Sequence, residues 1–422
     1  MKRIVILLLF VAAQSRADEA SRFFLGGQVN VIVQQHGGFR ALYSGPNSLR
    51  AKSESATSHV ATLYTGFMLT SHQELLADVE SAGGRGISDA VGLAGFTNLD
   101  VVRNPSLGAI PYVARLMYHA VYALSKDEEQ QERSFLSLFT RVPARRIEIR
   151  VGKMGLVDFF DVNSVGGDSH LQFMNWTIDN NGAFDYAADT RGYTYGAIAE
   201  YDDRAWSVRS AVMLMPSVAN GIHYDHHIRS DRGQNVELER RWTTTTARLL
   251  LYDNRAAMGN YRQALTESNP PVIEATRRSG RAKTGIGLNA EHTLTDAIRV
   301  FSRVGWNDGR NESFAYTEVD RTLEAGGDVK IPHRAADKAG VALVVNGISA
   351  PHRDYLAAGG LGFILGDGRL NYGHEKIVEA YYTARMLRGV FASVDVQHIV
   401  NPGYNRDRGP VWVPGARVHV DF

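Results

Sequence analysis

Charged and aromatic residues are concentrated in and beside two long polar stretches of the sequence, at positions 81–109 and 155–191. Arginine presents several N–H donors in a planar fork, and carboxylates accept hydrogen bonds. Together they can exchange hydrogen bonds with a polar solute, while an aromatic ring can lie against an apolar face of that solute. The candidates for such reversible contacts are Arg85, Asp89, Asp100, Arg103, Lys153, Asp158, Asp161 and Trp176.

Catalytic or metal chemistry has weaker support in the sequence. Asp158 and Asp161 could form the carboxylate pair that cleaves glycosides, but nothing around them marks an acid or a base. The chain has no cysteine and no Gly-x-Ser-x-Gly elbow. The three histidines of segment 223–227 lie in a long polar stretch without evident supporting residues. We therefore predict no enzymatic activity, no metal and no cofactor.

A second set of charged residues recurs at every other position of short amphipathic segments. In segment 111–124, for example, Arg115 and His119 oppose a face of Tyr, Ala and Leu that begins at Tyr112. A period of two is that of a β-strand with one apolar and one polar face. The residues predicted on polar faces are Arg115, His119, Glu148, Arg150, Glu200, Arg209, Arg299, Arg303, Glu379, Arg385 and Arg417.

The apolar faces favour a membrane barrel over a soluble sandwich or jelly roll, which is the alternative. They are rich in Ala, Gly and Tyr, and the last strand alternates Val418, Val420 and Phe422, as outer-membrane barrels usually do at their end. A lipid-facing charge would cost about 2–4 kcal/mol near the midplane, so the polar faces should line the lumen. Aromatics fall towards segment ends, as in interfacial girdles: Phe67, Tyr122, Trp206, Trp242, Trp306 and Trp412.

Short and long connections alternate between the amphipathic segments. This alternation predicts an all-β, transmembrane antiparallel β-barrel with short periplasmic turns and long extracellular loops. The segments number about sixteen, a size class with an aqueous interior. Tight turns are expected at 70–71, 202–203, 253–254, 293–295 and 387–389, and loops at about 36–57, 81–109, 155–191, 216–241, 266–281, 349–375 and 399–410. Connections near 125–133 and 324–338 are longer than this rule predicts, and segment 351–367 reads as a short helix or ordered loop.

The start of the chain has the pattern of an export signal. Two basic residues precede an apolar run at 4–13, and small residues follow up to Ala17. We predict a signal peptide at residues 1–17, cleaved after Ala17, and a single barrel domain at 18–422. The net charge of +1 provides no field that would attract nucleic acid.

Several stretches together resemble one family. They are Tyr64–Leu69, Gly92–Asp100, Asn175–Gly182, Arg191–Gly196 and, most specifically, Glu375–Glu379 with Asp395–Gly403, Gly415–Arg417 and Phe422. In order and spacing they resemble the carbohydrate-selective porins of the OprB type, over nearly the whole mature chain. The resemblance implies a sixteen-stranded barrel that admits sugars by diffusion, with loops folded inward to narrow the pore. It does not assign constriction residues by position. The candidates above therefore rest on the alternation of side chains along the strands and on the placement of the loops.

The chain is accordingly expected to be a passive, sugar-preferring porin in the outer membrane of a Gram-negative bacterium. Expected partners are small sugars as permeants, outer-membrane lipid, and the barrel assembly machinery acting on the strand that ends at Phe422. Small residues on the lipid-facing side are compatible with a homotrimer. A general non-selective porin is the first alternative, and an outer-membrane barrel enzyme or adhesin is less favoured. Wall charges would either touch the solute or pair with one another and stiffen the barrel.

Overall fold

The alternating segments form strands that pair with their neighbours along the chain and close into a barrel. The structure is a computed structural model that describes residues 21–102, 104 and 107–422. Sixteen strands in these residues form a closed antiparallel barrel, in which β1 pairs with both β2 and the last strand. The predicted fold is therefore confirmed. The signal peptide predicted at residues 1–17 and the candidate Arg103 lie outside the described residues.

The barrel strands follow one another in chain order. They are β1 (Phe23–His36), β2 (Glu54–Thr70), β3 (Gln73–Gly84), β4 (Tyr112–Ala123), β7 (Arg146–Met154), β8 (Thr194–Asp202), β9 (Trp206–Met213), β10 (Arg232–Arg241), β11 (Thr245–Met258), β12 (Arg278–Thr293), β13 (Ile298–Asn307), β14 (Arg321–Ile331), β15 (Arg334–Gly347), β16 (Glu375–Leu387), β17 (Val390–Val400) and β18 (Val411–Asp421). A separate hairpin consists of β5 (Glu128–Gln130) and β6 (Arg141–Pro143).

The helices are short and lie in the connections. They are α1 (Trp176–Asp179), α2 (Tyr261–Glu267) and α3 (Ala350–Ala357), and single 3-10 turns occupy Ile87–Ala90, Leu156–Asp158, Glu274–Thr276 and Pro402–Tyr404. α3 confirms the short helix expected within 351–367. Among the described residues, none of the helices has the length and apolarity needed to cross a bilayer.

Burial alternates along the strands with apolar side chains outside and charged ones inside. In β9, Val208 and Val212 are exposed while Arg209, between them, is buried. The aromatics predicted for the girdles are all exposed, at 41–59% of their surface. Because lipid surrounds the apolar outer face, the buried core of this protein consists of the inner wall and the loops that fold into the lumen.

Connections at one end of the barrel are short, and those at the other end are long. The long connections, named L1 to L8 in chain order, span 37–53, 85–111, 155–193, 214–231, 259–277, 308–320, 348–374 and 401–410. The short ones span 71–72, 203–205, 242–244, 294–297, 332–333 and 388–389. The predicted asymmetry of turns and loops is present.

Three of the predicted connections are wrong in position. The expected turn at 253–254 lies inside β11, where Asp253 forms an outward ion pair with Arg255 at 3.0 Å and the Asn254 amide donates to the Asp185 carbonyl. Paired in this way, polar residues do not interrupt a strand. The expected loop 216–241 ends earlier because β10 begins at Arg232, and the long connection expected near 324–338 is the two-residue turn 332–333. Loop L6 at 308–320 was not predicted.

The connection 124–145 folds into the lumen from the side of the short turns, and we call it the inner hairpin. The Phe135 ring stacks on the Tyr64 ring of β2 with 4.6 Å between centroids. The Leu138 amide donates to Glu74 of β3 at 2.8 Å, and the Phe139 ring lies 5.5 Å from that of His119. The excess length noted in the sequence therefore fills one side of the barrel interior.

Candidate pore constriction

Loop L3 crosses the lumen and is anchored to β16 and β18. The Glu379 carboxylate of β16 accepts hydrogen bonds from the backbone amides of Met174 and Asn175, at 2.5 and 3.1 Å. The Arg417 guanidinium of β18 donates to the carbonyls of Ser169 and Gln172, at 2.6 and 2.9 Å. Both wall residues are at most 1% exposed, so they act as anchors for the loop.

A second set of anchors ties L3 to β10, β13 and β14. The Asp161 amide donates to Glu237 of β10 at 2.7 Å, and its carboxylate lies 3.0 Å from the Arg303 guanidinium of β13. Arg303 also pairs with Glu324 of β14 at 2.8 Å. Residues 172–190 are all buried, so L3 fills the part of the barrel between β10 and β18.

Loop L2 rests on L3 and on β1. The Trp176 indole N–H donates to the Asn98 carbonyl at 2.6 Å, and the Phe96 ring lies edge-on to that indole. Gln34 of β1 donates to the Thr97 carbonyl at 2.7 Å. L2 and L3 thus form one layer across the lumen.

Two candidates from the sequence lie inside this layer and have almost no accessible surface. Trp176 is 4% exposed and stacks on Tyr316 at 5.6 Å, while Asp161 is 1% exposed and paired with Arg303. The arrangement holds L3 in place, and neither side chain presents a surface to a solute. Their selection as solute-contacting residues is corrected on this ground.

The remaining open side of the lumen lies between L3 and strands β2 to β4. Five partly exposed polar and aromatic side chains and the buried Arg115 meet there, and we call this group the eyelet: Tyr64, Glu80, Asp100, Arg115, Asp158 and His170. Arg115 pairs with Asp158 at 2.6 Å and also with Asp78, and the Asp158 side chain is 24% exposed. The Arg115 guanidinium also lies over the Phe135 ring of the inner hairpin, at 5.2 Å.

On the opposite side of the eyelet, Asp100 of L2 and His170 of L3 form a pair at 3.4 Å. Burial alone would raise the pKa of Asp100, but His170 and the Asn30 amide outweigh it and hold this pKa below its ordinary value. Burial would lower the pKa of His170, but Asp100 raises it above its ordinary value. The eyelet therefore combines carboxylates with cationic donors, and the His170 side chain is 25% exposed.

Arg85 and Asp89 lie above the eyelet, at the mouth formed by the long loops. The Arg85 side chain is 52% exposed and lies 3.9 Å from Asp89, which also pairs with Arg50. These charges meet solvent before the narrow part of the lumen.

The strand pairing of β7 does not direct Lys153 into the lumen. It stands in β7 between Leu116 and Tyr195, which are exposed on the outer face, and its ammonium donates to the Val113 carbonyl at 2.8 Å. The parity of β7 turns this residue outward, so its assignment to the constriction is corrected.

The wall residues predicted from parity form a belt of alternating charge on β7 to β12. Arg150 pairs with Glu200 at 3.0 Å, and Arg209 pairs with the same Glu200 at 2.8 Å and with Glu237 at 2.6 Å. Arg248 continues the belt to Glu291 at 3.0 Å. Most of these groups satisfy one another, so the belt stiffens the barrel and presents both signs of charge to the lumen.

The other predicted wall residues have more varied positions. His119 lies between Glu74 and Glu148, at 2.7 and 2.9 Å, and Arg299 of β13 pairs with Asp328. Arg303, Glu379 and Arg417 lie beneath L3, as described above. Arg385 is exposed at the end of β16 that adjoins the short turn 388–389, below the belt.

Tyr112 was expected on the apolar face from the alternation of its segment, and this prediction is wrong. The register between β3 and β4 shifts after Asp78, so that Tyr112 stands opposite Glu80 and its hydroxyl donates to that carboxylate. Val113 faces outward instead and is 46% exposed. A bulge of this kind moves side chains to the other face without a sequence signal that we recognised.

Glu80, Tyr64 and His170 are eyelet residues that the sequence reasoning missed. Glu80 continues the alternation of Glu74 and Asp78 along β3, so parity could have identified it. His170 lies in a stretch that was already expected to enter the lumen. In the described residues, no group of three or more His, Asp or Glu side chains is arranged to hold a metal ion.

Comparisons with known proteins agree with this geometry. The family model described as carbohydrate-selective porin, OprB family, matches residues 53–422. No curated protein matches the chain.

Similar solved structures include outer-membrane channels and porins. The high-pH structure of Pseudomonas putida OprB shares 14% identity at a TM-score of 0.71, covering 96% of this chain and 95% of that one. The channel DcaP of Acinetobacter baumannii shares 8% identity at 0.54, with 95% and 97% covered. The anion-selective porin from Comamonas acidovorans shares 8% identity at 0.52, with 95% and 99% covered.

At such identities the structural likeness shows the fold alone, and the family match carries the assignment. It spans most of the sequence, and the family consists of channels, not of enzymes. With a sixteen-stranded barrel, an apolar outer face and a charged lumen narrowed by L2 and L3, the chain belongs to the outer-membrane porins of the carbohydrate-selective OprB family.

Proposed function

We propose that this porin lets small carbohydrates diffuse passively through the eyelet, in preference to other solutes of similar size. The observation that carries the proposal is the composition of the eyelet. His170 is a partly exposed cationic donor, and Glu80, Asp100 and Asp158 are acceptors. The buried Arg115 guanidinium pairs with Asp158, and the Tyr64 ring lies beside them.

This composition fits the chemistry of a sugar. Passage through a narrow polar opening requires the solute to exchange its hydration for hydrogen bonds to the wall, and hydroxyl groups both donate and accept. Binding must be strong enough to recruit the solute and weak enough to release it, so we expect millimolar affinity, about −4 kcal/mol. The mixture of charges opposes strong selectivity for one sign of ion.

The test is single-channel recording in planar bilayers with increasing glucose or maltose. We expect open channels whose current sugar reduces in a concentration-dependent way. Asp158→Asn should weaken this block, because it removes a partly exposed acceptor while Arg115 keeps its pairing with Asp78. Asp296→Asn, at an exposed residue of the short turn 294–297, is the matched control.

A general porin is the second candidate, favoured by the belt of mixed charge on β7 to β12, which presents both signs of charge. Liposome swelling separates the two, because a general porin passes glucose and an uncharged solute of equal size without adjacent hydroxyls at equal rates. Equal rates together with no sugar block would overturn sugar preference and leave the porin assignment intact.

Further parts of the proposal concern the route to the membrane. We propose cleavage after Ala17, recognition of β18 and Phe422 by the barrel assembly machinery, and assembly as a monomer or homotrimer. Mass spectrometry of the mature N-terminus and light scattering in detergent test the first and the last of these.

A further inference from the structure

Exposed cations gather outside the barrel, at the ends of β14 and β16 that adjoin the long loops. Arg321 is the first residue of β14, and Lys376 is the second residue of β16; both are exposed. By register, Arg321 stands beside the exposed Trp306, and Lys376 stands beside Val345 and Val400. Their side chains therefore leave the outer face of the barrel, at the level of an interfacial aromatic.

Neighbouring loop residues add positive charge at the same place. Arg406 lies against the backbone of Gly373, and the Arg353 guanidinium is 5.6 Å from the centre of the Tyr372 ring. Arg321 and Arg353 both lie within electrostatic reach of the Tyr372 hydroxyl. Residues 372–376 thus form the centre of a basic cluster, which we define as Arg321, Arg353, Lys376 and Arg406.

Most of this charge is not neutralised by the protein. Arg353 has a carboxylate neighbour, Asp354, at 3.6 Å. Across the residues that the structure describes, Arg321, Lys376 and Arg406 form no ion pair. The outward Arg255 of β11 is different, because Asp253 pairs with it at 3.0 Å.

An apolar groove lies below the basic cluster on the same outer face. It has a volume of about 820 Å³, and small residues such as Ala325, Gly327 and Ala339 form its floor between Val300 and Val341. Along β14 the groove begins at Ala325, four residues or about 13 Å from Arg321, and extends away from the cations to Val329. That distance is within the reach of a lipid acyl chain.

We propose that this surface retains a phosphorylated, multiply acylated lipid of the outer leaflet. Its phosphates would pair with Arg321, Lys376 and Arg406, and an acyl chain would occupy the groove. Basic clusters beside a membrane span are known to select anionic head groups, and the apolar groove adds contact that a free phosphate could not use.

The test is native mass spectrometry of the full-length mature porin in detergent, titrated with bis-phosphorylated lipid A. The same lipid without phosphates and inorganic phosphate are the comparison ligands. We expect retention of the phosphorylated lipid and weak binding of both comparison ligands. The triple variant Arg321→Gln, Lys376→Gln, Arg406→Gln should bind it about a hundredfold more weakly, at roughly fivefold for each cation.

Two further variants make the test specific. Arg240→Gln removes an outward arginine that stacks on Trp206 and Trp242 at the opposite rim, and it should leave lipid binding unchanged. Ala325→Phe fills the groove and should weaken lipid retention while the cations remain. Heat-modifiable gel mobility checks that every variant is folded.

Three results would overturn the proposal. The first is equal binding of the phosphorylated lipid by the triple variant and by the unmodified protein. The second is equal binding of the lipid with and without its phosphates. The third is an oligomer in detergent that Ala325→Phe dissociates, since the groove would then belong to a contact between copies of the chain.

Discussion

His170 shows how a single residue of the eyelet can make transport depend on pH. Its imidazole lies 3.4 Å from Asp100 and stacks on the His419 ring at 5.3 Å, with Asp168 and Arg417 within electrostatic reach. Asp100 and Asp168 raise its pKa, whereas burial and Arg417 lower it; the net shift is upward from 6.5. The positive charge therefore persists above pH 6.5 and is lost as the pH rises further.

We predict that cation selectivity increases when the pH rises through the pKa of His170, because the eyelet loses one positive charge. The reversal potential in a KCl gradient measures this change. His170→Gln should remove the pH dependence in that range and keep the selectivity of the high-pH state. If ion selectivity changed with pH as much in this variant as in the unmodified protein, another group would be responsible for the titration.

At the scale of elements, the position of L3 depends on a few buried ion pairs. Arg303 is fully buried between Asp161 of the loop and Glu324 of β14, at 3.0 and 2.8 Å. Removal of one partner leaves carboxylates buried without compensation, which costs about 3–5 kcal/mol. Such a cost is large enough to release a loop whose fold depends on the wall.

We predict that Arg303→Met loosens L3, so that proteases cleave within 155–193 and single-channel conductance becomes larger and noisier. Arg241→Met is the control, since the Arg241 side chain is 29% exposed and pairs with Asp202 of β8 and Glu239 of β10 instead of with L3. Equal protease resistance of the Arg303 variant and the unmodified protein would mean that L3 is held by its other anchors.

The inner hairpin is the second element that narrows the lumen. We predict that Phe135→Ala raises single-channel conductance, because it removes the ring that stacks on Tyr64 and lies beneath the Arg115 guanidinium. Leu294→Ala, at a residue 56% exposed in a short turn, should leave conductance unchanged. Unchanged conductance in the Phe135 variant would show that the hairpin lies beside the path and not in it.

At the scale of the whole molecule, closure of the barrel depends on the contact between β1 and β18. The backbones of Gly27 and Phe422 exchange two hydrogen bonds of 3.0 Å. A Cβ atom on Gly27 would lie 2.6 Å from Cζ of the Phe422 ring and 3.0 Å from the Thr62 carbonyl oxygen. The last ring therefore closes the barrel against a position that has no side chain.

We predict that Gly27→Val destabilises the closed barrel by about 1–3 kcal/mol, as overpacking does in well-packed interiors. Heat-modifiable gel mobility should show unfolding at a lower temperature. Gly37→Val is the control, because no atom lies within 4 Å of its Cβ position. The same transition temperature for both variants would contradict the role of this contact.

The barrel itself was determined by the sequence, because alternation is a local property that a bilayer enforces. A charge such as Arg209 is too costly in lipid, so its side chain must point into the lumen. Because side chains alternate along a strand, this one residue determines which positions of the strand face inward. The long stretch around 155–191 also indicated an inward loop. Local errors arose where register changes without a local signal, as at Tyr112, and where outward charges are paired, as at Asp253.

The tertiary structure alone decided which inward side chains remain accessible to a solute. Asp158 and Asp161 lie three residues apart in L3, yet the Asp158 side chain is 24% exposed in the eyelet while that of Asp161 is 1% exposed and paired with Arg303. Asp161 meets Arg303 across 142 residues of sequence. Accessibility depends on what folds over the wall, and such contacts between distant segments leave no period in the chain.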